Sequence, residues 1–207
     1  MRKTLQRIIQ LISLASFILL IAAGKVQLWL GVFLLSVLAA FLFGRVYCGW
    51  ICPIQTIMSG IAWVKKKLHI KSLQIPVVLT KPWVRYLALG IFFLLFAFTM
   101  VSGKMLPVLP ALLAAGAVFT IFYPEELWHR HLCPYGALFS VPASKSKNGL
   151  SINPAQCNNC GSCERVCPAK AIERGTEARQ ITAGECLVCM KCSAACKTNA
   201  IKFARRF

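Results

Sequence analysis

Apolar residues along this chain gather in four long blocks, Leu5 to Ala23, Val26 to Phe43, Tyr86 to Val101 and Met105 to Tyr123, separated by polar or basic breaks. A helix needs about 20 apolar residues to cross a hydrocarbon core, so the pattern predicts four transmembrane helices in two hairpins. The second and third blocks are at the short end, which predicts little tilt and a flanking Arg45 and Arg85 that reach for the headgroups. Pro107 and Pro110 fall in the first turns of the fourth helix, where a missing N–H costs least. A further apolar stretch, Val46 to Val64, reads differently. Beyond Pro53 the positions Ile54, Ile57, Met58, Ile61, Val64 and Leu68 recur at helical spacing, while Gln55, Thr56, Ser59 and Gly60 share another face. That predicts an interfacial helix on the inner leaflet, with Lys65 to Lys67 among the headgroups. Residues 141–153 are rich in Ser, Pro, Lys and Asn and read as a linker, dividing a membrane domain, 1–140, from a compact domain, 154–207.

Composition agrees with a lipid-facing chain. Of the 207 residues 57% are hydrophobic and 14% charged, against about 25% charged in a soluble domain. The 24 Lys and Arg outnumber 6 acidic residues, for a formal charge of +18. Only Lys25 and Lys104 fall in the two tight turns, so the positive-inside rule places both termini in the cytoplasm and makes this a multi-pass inner-membrane protein. Trp50, Trp63, Trp83 and Trp128 map to the inner boundary and Trp29 to the outer one, as an aromatic belt requires. A cleavable signal peptide over residues 1–23 is the competing reading, disfavoured because a second span starts at once. Topology accounts for the charge, so a nucleic-acid partner, drawn to Arg205 and Arg206, is not expected.

The chain has 11 cysteines. Eight form two runs of CxxCxxCxxxC, namely Cys157, Cys160, Cys163 and Cys167, then Cys186, Cys189, Cys192 and Cys196. This is the spacing of bacterial dicluster ferredoxins, in which the fourth cysteine of each run binds the other cluster. The predicted ligands are Cys157, Cys160, Cys163 and Cys196 for one 4Fe-4S cluster, and Cys186, Cys189, Cys192 and Cys167 for a second. Structural zinc is the competing reading, disfavoured because zinc fingers rarely pair eight cysteines in this way. The fold class is therefore an α-helical membrane domain of four transmembrane helices plus a small α+β ferredoxin-like domain.

The remaining cysteines belong to a weaker repeat. The segment Arg45-Val-Tyr-Cys48-Gly-Trp-Ile-Cys52-Pro53 can be laid over Glu126-Leu-Trp-His129-Arg-His-Leu-Cys133-Pro134, and each copy follows a hairpin. On these paired CxxxCP-type motifs and the ferredoxin run, the chain resembles the four-span, polyferredoxin-like 4Fe-4S membrane proteins. That family includes the quinol-dehydrogenase membrane subunit of periplasmic nitrate reductase systems. The family pattern has cysteine at both positions of the second motif, where this chain has His129. Imidazole is an acceptable iron ligand, so Cys48, Cys52, His129 and Cys133 are a candidate third iron–sulfur site. Buried inert thiols beside a basic loop are the other reading.

The resemblance implies electron transfer between the quinone pool or a membrane partner and further redox partners, as a subunit of a larger complex. Glu125, Glu126, His129, His131 and His69 are the ionisable residues able to take a quinol's protons, and all lie toward the inner boundary. The alternative is a redox assembly or maturation factor for a partner metalloenzyme. No haem CxxCH, Rossmann glycine fingerprint or P-loop suggests an independent catalytic site.

Overall fold

A computed structural model describes residues 2–102 and 107–206. The outer turn with Lys104 and the expected start of the fourth span at Met105 lie outside the described residues. The helices are α1 (Arg2–Ala22), α2 (Leu28–Phe43), α3 (Val46–Trp50), α4 (Pro53–Lys67), α5 (Pro82–Ser102), α6 (Val108–Phe122), α7 (Pro134–Ser144), α8 (Ser162–Arg165) and α9 (Lys191–Ala195). A π-helical turn, Leu127–Leu132, precedes α7. Strand β1 (Asn148–Ile152) pairs antiparallel with β4 (Ile201–Arg205), and β2 (Ile172–Arg174) with β3 (Arg179–Ile181). Both α4 and α7 open on a proline, where the absent N–H and fixed φ suit the first helical position. Gly24 and Gly44 follow α1 and α2 at φ +68° and +70°, and Gly44, with ψ −158°, takes a conformation open essentially to glycine alone.

Two helical segments are long and apolar enough to cross a membrane, Thr4–Ala22 and Pro82–Thr99, with 6% of each buried. Side chains such as Leu19 and Leu94 stand open, which water penalises and lipid does not. Helices with open apolar faces of this kind suit a lipid surround. α2 and α6 have 16 and 15 residues, about 24 and 22 Å of helix at 1.5 Å per residue. On length alone they fall short of a span.

The chain divides into two compact units, Met1–Pro53 with Leu138–Phe207, and Ile54–Ala137. In the first, Tyr47 stacks on Phe139 with ring centroids 5.3 Å apart, and Phe33 meets both edge-on at 5.8 and 5.3 Å. Trp29 packs against Phe17 at 5.2 Å and donates its indole N–H to the Tyr47 hydroxyl at 2.9 Å. It is 5% exposed, a core residue and not the belt residue its position suggests, because Tyr47 satisfies its N–H away from water.

The stretch 141–153 is no linker. Its first part completes α7 and its second is β1, whose residues Asn148 to Ile152 pair with Arg205 to Ile201. Lys147 donates its backbone N–H to Phe41 O at 3.3 Å, and Asn148 its side-chain amide to Leu42 O at 3.1 Å. The polar composition that imitates a linker satisfies the last carbonyls of α2. Arg45 does not reach for headgroups either. It is 1% exposed and donates Nη1 to Gly184 O at 3.0 Å and to Glu185 Oε2 at 3.4 Å.

In the second unit, α4 departs from the predicted facing. Gln55, assigned to the polar side, is buried and donates Nε2 to Ser59 Oγ at 2.7 Å, while Val64 and Leu68 are exposed. Lys65 is buried and not among headgroups, donating Nζ to Thr120 O at 3.0 Å and Ser72 Oγ at 2.8 Å. Thr120 lies in the last turn of α6, whose unpaired carbonyls and negative dipole end favour a cation. Arg85 likewise donates to Gly136 O at 2.9 Å. Gly116 lets Ile54 and Trp128 pack where a Cβ would come within 2.8 Å of Ile54.

Substituting Arg45 by Met should cost about 1–3 kcal/mol, since it removes the side-chain donor to the buried Gly184 carbonyl. The thermal midpoint of the detergent-purified protein measures this, and an unchanged midpoint would refute the role.

Candidate metal centres

The two cysteine runs of the first unit are built alike. Non-glycine residues adopt the left-handed conformation at Asn159 and Val188, at Lys170 and Asn199, and at Met190, the counterpart of Gly161. Members of each pair lie 29 positions apart, the offset that also separates Cys157 from Cys186 and Cys167 from Cys196. For β-branched Val188 this is an uncommon backbone state, so the loop geometry is imposed by its surroundings. Short helices α8 and α9 follow at matched positions and carry Cys163 and Cys192.

Each run shapes a hollow, and the hollows exchange their fourth cysteines. Cys157, Cys160, Cys163 and Cys196 line one, with Asn158, Ser162, Thr198 and Arg179 on its polar side. Cys186, Cys189, Cys192 and Cys167 line the other, with Leu150, Ile172, Ile181 and Leu187. Space outside the atoms, open solvent included, comes to about 310 Å³ in each. Among the described residues no three His, Cys, Asp or Glu side chains converge as a lone metal ion needs; the thiols ring hollows instead. Four thiols around a hollow, soft donors without a carboxylate or imidazole among the lining residues, fit an iron–sulfur cage. The Ala171 N–H also points at Cys167 Sγ from 3.3 Å, a contact of the kind that tunes cluster potential.

The environments differ. The Ser162 hydroxyl, 3.5 Å from Cys160 Sγ, and the Ser162 backbone N–H hold the exposed Cys160 thiol below its ordinary pKa. At Cys196 burial pushes upward, but contacts with the Thr198 hydroxyl and nearby backbone N–H groups outweigh it and leave the pKa lowered. Burial raises Cys163 and Cys186, lifts Cys189 to about 12, and drives Cys192 upward as well. Iron bound there would hold these thiols deprotonated.

The groups that grip the second loop lie outside both cysteine runs. Gly49 approaches it so closely that a Cβ would overlap the Leu187 carbonyl oxygen and come within 3.1 Å of Cys189 Cα. Trp50 donates Nε1 to Val188 O at 3.1 Å. Gln6 donates Nε2 to Gly49 O at 2.8 Å and Cys189 O at 3.2 Å, and Gln10 to Gly49 O at 3.0 Å. The available signal was two glutamines at i and i+4 on one face of α1, beside its basic start at Arg2, Lys3 and Arg7.

Cys48 and Cys52 belong to the first unit, and His129 and Cys133 to the second. Within each, the repeat has one backbone design. Cys52 N–H bonds Tyr47 O at 2.9 Å and Cys133 N–H bonds Trp128 O at 2.8 Å, both reaching five residues back. A helix starting with proline then follows. All three cysteines are buried, as are His129 and His131. In the second copy the turn is π-helical, a rare form frequent at functional sites. Gly136 N–H points at Cys133 Sγ from 3.4 Å. Glu125 and Glu126 are half-buried just before this turn, and His69 is exposed.

Lipid-exposed helices, two four-thiol hollows and a repeated Cys-Pro turn define a membrane iron–sulfur protein. The model of a 4Fe-4S dicluster domain matches residues 149–197, and that of a 4Fe-4S binding domain matches twice, at 26–71 and 105–153. The chain belongs to the polyferredoxin-like family of 4Fe-4S electron-transfer proteins. It is 29% identical to the ferredoxin-type protein NapH of Haemophilus influenzae, over 86% of this chain and 68% of the relative. An uncharacterised protein of Methanocaldococcus jannaschii is 32% identical over 83% of this chain and 69% of its own. The methylamine utilization ferredoxin-type protein MauN of Methylobacillus flagellatus is 29% identical over 62% of this chain and 50% of its own. No solved structure matches the chain significantly.

The pKa contrast predicts that, in iron-stripped protein, Cys160 and Cys196 react with iodoacetamide at a lower pH than Cys189 and Cys192. Mass spectrometry across a pH series reads this directly, and coincident profiles would contradict it.

Proposed function

We propose that the protein carries electrons between the quinone pool or a membrane partner and further redox partners, through two 4Fe-4S clusters on the cytoplasmic side. The observation that carries this reading is the pair of hollows, each lined by three thiols of one run and the fourth of the other. A cluster in each would supply one-electron redox chemistry at low cost in rearrangement. Cys157, Cys160, Cys163 and Cys196 are the ligands of one, and Cys186, Cys189, Cys192 and Cys167 of the other. The fold fixes these thiols on short helices and left-handed turns, so their geometry can survive a change of charge at the centre.

Four membrane spans complete the reading. α2 and α6 are apolar throughout and can traverse the bilayer without tilt if flanking residues snorkel and the bilayer thins locally. Both termini then lie in the cytoplasm by the distribution of Lys and Arg. Cys48, Cys52, His129 and Cys133 remain candidates for a third iron–sulfur site, supported by the shared backbone design of the two turns. Glu125 and Glu126, with His129 and His131, would accept a quinol's protons on the inner side. The names of the relatives, ferredoxin-type proteins, accord with electron transfer.

Three measurements test this. Replacing Cys196 by Ser should disturb the cluster of Cys157, Cys160 and Cys163 in EPR and leave the other signal intact; the opposite result would reverse the crossed assignment. Iron analysis of anaerobically purified protein should give about twelve irons per chain with a third cluster, whereas about eight would exclude it, at four irons per cluster. A quinol analogue should bleach the cluster absorption, and substituting Glu125 and Glu126 together by Gln should slow that bleaching about tenfold or more, the scale of a lost proton acceptor. An unaffected rate would remove the two glutamates from the mechanism.

A further inference from the structure

The two hollows differ in what surrounds them, and the difference orders them. The loop carrying Cys186 and Cys189 is held from three sides, by Gly49 against its backbone, by Trp50 on Val188 O and by Gln6 on Cys189 O. Leu150, Ile172 and Leu187 seal its interior. The hollow of Cys157, Cys160, Cys163 and Cys196 is lined inside by Ile152 and Ile201, and its loop is held by the β2–β3 hairpin, where Asn159 donates Nδ2 to Glu177 O at 2.9 Å. Cys160 is exposed, as are Asn158 and Thr198, which line the same hollow. Arg165 and Lys197 flank this mouth, both exposed, and Arg179 lines it. The single acidic side chain among these residues, Glu164, is already paired with Arg179. From residue 148 to the end, nine Lys and Arg face four Glu and no Asp.

We propose that the mouth flanked by Arg165 and Lys197 is the docking face for an acidic, water-soluble one-electron carrier protein, while the Cys167, Cys186, Cys189 and Cys192 set is the port toward the membrane part. This rests on the reading that both sets hold clusters. One electron crosses at the docking face. The carrier's centre is oxidised as the centre held by Cys157, Cys160, Cys163 and Cys196 is reduced, or the reverse, and no bond or proton changes hands. Positive charge around the exit would steer a negative carrier into contact and release it as salt screens the attraction. A lipid surface is the weaker occupant, because the exposed lining residues are Asn158, Cys160 and Thr198, while the apolar ones, Ile152, Ala200 and Ile201, are buried or half-buried and do not stand out to enter a headgroup layer.

The test uses the full chain with its clusters, in nanodiscs of neutral lipid, and an acidic 2Fe-2S ferredoxin as probe. Stopped-flow electron exchange is followed for the parent, for Arg165→Glu with Lys197→Glu, and for Lys202→Glu as a charge control at an exposed residue that does not line the hollow. The double variant should slow exchange about tenfold at low salt with the difference collapsing at high salt, as for rim charges that act on association. Its EPR spectrum should match the parent's. A dissolved dysprosium chelate should relax the signal lost in Cys160→Ser protein more strongly than the other. Equal exchange rates for parent and double variant, an equal effect from Lys202→Glu, or equal relaxation of both signals would each overturn the proposal. So would a double variant that keeps its rate but no longer binds anionic vesicles, which would assign the charges to lipid. Protein without any cluster signal would overturn the electron-transfer reading itself, a distinguishable result.

Discussion

The first unit depends on one fit, the backbone of the loop around Val188 and Cys189 pressed against the turn that carries Cys48. The fit is possible only because residue 49 has no side chain. Close approach leaves backbone carbonyls on both sides without room for water, and each finds a donor fixed to the helical part. Gln6 and Gln10 serve Gly49, Trp50 serves Val188, and Arg45 serves Gly184. Buried carbonyls without partners would cost about 1–3 kcal/mol each, so these four side chains decide whether the ferredoxin lobe docks at all. They also explain how Val188 can sit at φ +53°. Contacts on both sides over-determine a conformation its branched side chain resists.

Docking of this kind makes the thiol environments unequal although the two runs are built alike. The pseudo-repeat supplies the same helices, left-handed turns and thiol spacing twice. What distinguishes the copies is which is covered. Covered thiols are pushed toward the neutral form by desolvation, and the open ones are drawn toward thiolate by hydroxyl and N–H contacts. An internally symmetric scaffold thereby acquires an inner and an outer end without any change in its ligand set.

Much of this was legible in the sequence, and the failures share a cause. Helix positions followed from apolar blocks, a local property, whereas the crossed cysteine sets, proposed from spacing, need the fold to bring Cys196 and Cys167 into the hollows of the other run. Arg45, Lys65 and Trp29 were misplaced because composition treats a basic or aromatic residue at a helix end as facing lipid headgroups. Each instead found a specific polar partner, namely Gly184 with Glu185, Thr120 with Ser72, and Tyr47. Such partners are set by tertiary contact and leave no periodic trace. Residues 141–153 failed for the same reason, since their polar side chains and backbone groups serve α2 and β4 and not water. Gln6 and Gln10 show the converse. Their i, i+4 spacing on an apolar helix was visible, but nothing local said what they would hold.

The two Cys-Pro turns show how far a repeat can drift while keeping its backbone. Both place a cysteine N–H on a carbonyl five residues back and both hand the chain to a proline-led helix. One contains Cys48 and Gly49 in a short α-helix, and the other His129 and Arg130 in a π-helical turn. The glycine is where the ferredoxin loop comes to rest, and an arginine side chain in its place would prevent that approach. The copies have thus divided their labour. The first has kept a small residue and become a seat, whereas the second has gathered two buried imidazoles, His129 and His131, beside its remaining thiol.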